Sequence, residues 1–67
     1  MNFDLEDTRR DLIAMRTKHG ADTPIGHRCS NIIGQVEQVM RTIDPFWRRK
    51  MAHGIRKQIT ELANLVR

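Results

Sequence analysis

His19, His27, His53 and Cys29 are the side chains of this 67-residue chain best suited to hold a transition metal. Closed zinc sites draw four ligands from cysteine and histidine pairs at short, regular spacings, which these residues lack. His27 and Cys29 stand two positions apart, so on a helix they point about 160° away from each other. Cys29 falls in an apolar seam, where a thiol is usually a small buried hydrophobe. No metal and no cofactor is expected. Ser30 and His27, three apart, share one helical face, yet nothing orients them as a nucleophile and base, and no paired carboxylates are spaced for acid–base work. A chain this short also has little room for a catalytic cleft. It is expected not to be an enzyme.

The distribution of charge is more informative. Residues 1–44 carry six basic and seven acidic side chains, whereas from Pro45 onward Arg48, Arg49, Lys50, Arg56, Lys57 and Arg67 stand against the single acid Glu61. All of the net charge of +4 therefore lies in the last third. Cations projecting from one helix can neutralise phosphates and displace condensed counterions. The same face would also keep a small domain soluble, although a face serving only solubility would mix signs. No DNA-reading motif accompanies it: a helix-turn-helix joins two short helices, and here two long ones meet at Asp44-Pro45. There is no tyrosine, and only Phe3, Phe46 and Trp47 offer faces for stacking bases.

The run Pro45-Phe46-Trp47-Arg48-Arg49 is a second lead. Phe46 and Trp47 sit about 100° apart on a helical wheel, so they cannot both face one core. Trp47 is expected in the apolar arc and Phe46 toward the polar side. An exposed aromatic flanked by arginines has the composition of a protein-binding hot spot. In the other reading, Phe46 folds back over the corner and covers the end of the domain.

Those residues must be positioned by helices. His19-Gly20-Ala21-Asp22-Thr23-Pro24 and Asp44-Pro45 punctuate the chain, each offering a capping residue followed by proline at the first helical position. The first segment, about residues 4–18, has acids in its opening turn, Arg16 and Lys18 in its closing turn, and a thin apolar face led by Leu5, Leu12 and Met15. The second, about 24–43, carries an a/d seam of Ile25, Cys29, Ile32, Val36, Val39 and Ile43, broadened by Ile33 and Met40. Gly26 and Gly34 each cost this helix about 1 kcal/mol of propensity relative to alanine. The third, about 45–66, is expected to bury Trp47, Met51, Ile55, Ile59, Leu62 and Leu65, with Ala52 and Val66, and to turn its basic side outward.

The expected architecture is all-α: one domain spanning residues 1–67, a small three-helix bundle with a short first helix and long second and third helices. A dimerising helical hairpin is the alternative arrangement. A chain this short buries only about 60% of its unfolded surface, so a homodimer is expected to add stability. The single cysteine fits a reducing compartment, no apolar run is long enough for a membrane span, and the acidic N-terminus is unlike a signal peptide. A cytoplasmic protein is expected. The apolar arc of the third helix is needed by the bundle, so no membrane partner is expected. The leading functional expectation is a small regulatory or adaptor protein that binds a protein partner through Phe46, Trp47, Arg48, Arg49, Lys50, His53, Arg56 and Lys57. The alternative is a nucleic-acid-binding module in which Arg49, Lys50, His53, Arg56 and Lys57 contact the phosphate backbone with little sequence preference.

Overall fold

The computed structural model describes residues 4–66, which form three helices and no strand: α1 Leu5–His19, α2 Pro24–Arg41 and α3 Pro45–Leu65. The ring of Phe3 and the charge of Arg67, both weighed above, lie outside the described residues. Each helix starts on a residue whose side chain accepts the orphan N–H groups of a first turn. Asp4 Oδ1 accepts from the N–H groups of Glu6 and Asp7, at 2.9 and 3.2 Å. Thr23 Oγ1 accepts from Gly26 N–H at 3.0 Å, and Asp44 Oδ1 from Phe46 N–H at 2.9 Å. Pro24 and Pro45 follow their caps, where a missing N–H costs nothing.

The first corner is tightly specified. Gly20 has φ 94°, a region that favours glycine, and its N–H closes α1 by donating to the Arg16 carbonyl at 2.9 Å. The Gly20 carbonyl in turn accepts from Thr23 twice, from N–H at 3.2 Å and from the hydroxyl at 2.7 Å. This turn lies directly on Gly26, which is buried. A Cβ at position 26 would collide with the Gly20 carbonyl oxygen and come 2.9 Å from the Ala21 backbone. Gly26 is thus more than a loss of helix propensity: it is what lets the turn lie flat on α2. Gly34 has nothing within 4 Å of where its Cβ would stand.

The second corner departs from expectation. α2 ends at Arg41 rather than Ile43, because Thr42 is extended (φ −80°, ψ 124°) while its N–H donates to the Val39 carbonyl. Asp44 must also be extended to cap α3, so the chain has already left its helical course at Ile43. Ile43 is 93% exposed and drops out of the seam, which runs from Ile25 to Val39. Met40, also expected in the apolar arc, lies at its open end and is exposed.

α2 supplies most of the core through Cys29, Ile32, Ile33, Val36 and Val39, facing Leu12 of α1 and both Ile55 and Leu62 of α3. Three polar pairs fix the alignment. Arg9 Nε lies 3.5 Å from Glu37 Oε1, Arg16 Nη1 donates to Ser30 Oγ at 3.3 Å, and Gln35 and Gln58 exchange amide hydrogen bonds at 3.1 and 2.8 Å. α1 and α3 both run antiparallel to α2 and pack on it, but among the described residues no Cα of α1 comes within 8 Å of one in α3. With one close neighbour, α3 fully buries only a narrow arc. Trp47 and Leu65, expected inside, stand about 80° round the helix from Ile55 and are 51% and 53% exposed. Met51, Ala52, Ile59 and Val66 are half-buried.

The two α2 glycines should therefore respond oppositely to alanine. Gly34→Ala is expected to stabilise the domain by up to about 1 kcal/mol through helix propensity. Gly26→Ala is expected to destabilise it by about 2 kcal/mol or more, since backbone must move. Urea denaturation followed by circular dichroism measures both.

Candidate functional site

The residues singled out on the third helix all lie on its surface. Phe46, Trp47, Arg48, Arg49, Lys50, His53, Arg56 and Lys57 are each exposed. Asp44 and Pro45 start α3 abruptly, so its first turn presents Phe46 and Trp47 beyond the end of α2. Phe46, Lys50, His53 and Lys57 follow one another at four, three and four residues, a single ridge facing away from the core. Arg49 and Arg56, seven apart, form a second row on the flank nearer α1.

At the corner the side chains are already organised. The rings of Phe46 and Trp47 meet edge to face, with centroids 5.4 Å apart and planes at 79°. Lys50 Nζ lies over both, 5.9 Å from the Phe46 centroid and 5.4 Å from that of Trp47. Such aromatic and cation–π contacts are each worth about 0.5–1 kcal/mol at an exposed site, enough to bias the rotamers of all three side chains. Neither ring is removed from water: Phe46 is 64% exposed, so it does not fold back to cover the bundle end. Ile43, in the linker just before, adds an exposed aliphatic side chain. The corner thus joins three large apolar groups to the cations Arg48, Arg49 and Lys50.

Electrostatically this end is unbalanced. Along α3 the cations Arg48, Arg49, Lys50, Arg56 and Lys57 stand against the acid Glu61. Acids are also absent from the first turn of α3. Two contributions to this surface escape a sequence reading that puts Ile43 and Trp47 in the core. The signal for Ile43 was the Asp-Pro start of α3, since a cap residue and the residues leading into it cannot also continue the preceding helix.

The metal and nucleophile candidates are held apart. Cys29 is fully buried whereas His27, two residues earlier, is exposed on the opposite side of α2. Among the described residues no three His, Cys, Asp or Glu side chains gather as a ligand set. Ser30 is engaged by Arg16. Burial pushes the Cys29 thiol above its ordinary value, and the Arg16 guanidinium offsets this only in part. No helix among the described residues is long and apolar enough to cross a membrane.

Comparison with known proteins finds no matching family model, curated protein or solved structure.

A raised pKa leaves less thiolate at neutral pH, and the thiolate is the reactive species. Cys29 is also fully buried, so it is expected to react with a thiol-labelling reagent at pH 7 markedly more slowly in the folded protein than in urea. Timed labelling followed by mass spectrometry checks this. Equal rates would mean that the α1–α2 core opens freely.

Proposed function

We propose that this chain is a small non-enzymatic binding module of the regulatory or adaptor kind, and that it recognises a protein partner through the α2–α3 corner and the ridge of α3. The supporting observation is the pre-arranged Phe46–Trp47–Lys50 cluster, with both rings largely in water. Leaving rings of this size exposed forgoes their burial energy, about 1.5–3 kcal/mol for a large apolar side chain. A domain of 67 residues has little stability to forgo. Binding recovers that energy when a partner covers the rings and excludes water, which is how hot spots built on tryptophan and arginine act.

The surrounding charge narrows the partner's chemistry. Arg48, Arg49 and Lys50 ring the apolar centre, with His53, Arg56 and Lys57 continuing along α3. The complementary surface is an apolar pocket or helix face with acidic residues at its rim. Cations of this kind speed and orient the encounter, while the apolar centre holds the complex.

Nucleic acid is the competing reading, supported by the excess of cations over acids on α3. The two readings differ in how binding responds to salt. Phosphate contacts weaken by orders of magnitude between about 50 and 200 mM salt, whereas a hot spot of covered aromatics loses far less.

The wild type and Phe46→Ala should be compared in affinity capture from lysate, with labelled duplex and single-stranded DNA and RNA titrated alongside at both salt concentrations. The expected outcome is a captured protein whose retention falls about tenfold or more in Phe46→Ala, with an unchanged helical spectrum. Tight, salt-sensitive nucleic-acid binding that survives Phe46→Ala and is lost on reversing Arg49, Lys50, Arg56 and Lys57 would establish the competing reading instead.

A further inference from the structure

Because α1 and α3 touch α2 but not each other closely, a groove runs between them. Its walls are apolar: Leu12 and Met15 on one side, Ile59, Leu62 and Ala63 on the other. The volume is about 270 Å³. Met15 and Ile59 are half-buried and Ala63 is exposed, so packing is incomplete along this face.

The two lips carry opposite charge. Asp11 lines the groove on the α1 side, with Asp4 and Asp7 on the same flank of the helix at its N-terminal end and Lys18 on that flank at the C-terminal end, so the acidic part of this lip is the first half of α1. The α3 lip carries Arg49 and Arg56, about 100° to 120° round from Ile55 toward α1. α1 and α3 run parallel, since each is antiparallel to α2. The cross-helix pairs set their relative heights: Arg9 stands level with Glu37, and Gln35 with Gln58. Asp11 is therefore level with Gln58, and Arg56 is level with the stretch between Asp7 and Asp11.

We propose that a second copy of this chain occupies the groove, the two grooves facing each other about a two-fold axis that runs along the helices. Charge complementarity selects both the partner and the geometry. With the axis along the helices, α1 of each copy lies against α3 of the other, at unchanged height, and the acidic lip meets the basic lip twice. With the axis across the helices, α1 would meet α1 and α3 would meet α3, setting aspartates against aspartates and arginines against arginines. The lining of the groove then becomes the core of a pairing of four helices, two from each copy. Phe46, Lys50, His53 and Lys57 lie on the opposite side of α3, so the dimer leaves the aromatic centre of the corner uncovered twice over while drawing Arg49 and Arg56 into the paired lips.

Sedimentation equilibrium of the full chain, from about 1 to 200 μM at low salt, tests the proposal. A reversible dimer is expected. Ala63→Arg, which puts a large charged side chain on an exposed position of the apolar groove wall, should leave the circular-dichroism spectrum unchanged and give a monomer. Asp11→Lys should weaken the dimer about tenfold or more, and Asp11→Lys combined with Arg56→Glu should restore it by exchanging the two lips. A wild type that stays monomeric throughout, or a dimer indifferent to Ala63→Arg, would overturn the groove as the interface. A dimer lost with Ala63→Arg but indifferent to Asp11→Lys would overturn the axis along the helices. Capture of a protein through Phe46 is independent of all these outcomes, because that residue lies outside the groove.

Discussion

α2 is the one helix on which both others pack, and its continuous apolar face organises the whole domain. Cys29 and Val36 lie at the middle of that face and are fully shielded from water. α1 covers one flank and α3 the other, held in alignment by Arg16–Ser30 and by the reciprocal glutamine pair. A face served this way buries its own residues well and those of its neighbours less well. Among the described residues, Leu12 alone is buried from α1, and only Ile55 and Leu62 from α3. The incomplete packing of α1 and α3 leaves a groove between them, and the end of α2 at Arg41 leaves the first turn of α3 overhanging.

Much of this was legible in the sequence, for identifiable reasons. Caps followed by proline at Thr23-Pro24 and Asp44-Pro45 mark helix starts by local chemistry, and the structure uses both. The seam of α2 was equally clear from Ile25 to Val39, where seven-residue periodicity reports a buried stripe directly. Periodicity failed at Ile43, because spacing describes a helix that continues and says nothing of where it stops. It failed again at Trp47 and Leu65, since a wheel gives direction but not how many neighbours there are to receive a side chain. The role of Gly26 was hidden for a related reason: its neighbours, Gly20 and Ala21, approach it only after the turn has closed. Gln35 and Gln58, twenty-three residues apart, carry no local signal of their pairing.

The candidate site was legible as composition and misread as geometry. The exposed residues of α3 were expected where they lie, but the apolar centre of the corner is larger than the sequence suggested, since Trp47 and Ile43 join Phe46 at the surface. That enlargement matters physically. A basic helix with one exposed ring is a polar face with a blemish, whereas two rings in edge-to-face contact beneath a lysine form a shaped surface whose rotamers are partly fixed in advance. The acids on one flank at the opening of α1 and the cations of α3 carry both proposals, recognition at the corner and self-pairing along the groove.

The environment of Trp47 tests the account most directly, because the chain has a single tryptophan and the proposed site needs it in water among cations. Steady-state fluorescence of the folded protein, quenched in parallel by iodide and by caesium, reads both properties at once. The expected result is emission close to that of tryptophan in water, with iodide, concentrated by Arg48, Arg49 and Lys50, quenching far more efficiently than caesium at low salt and the difference shrinking as salt is added. Blue-shifted emission resistant to both ions would place Trp47 in the core and contradict the corner as a binding surface.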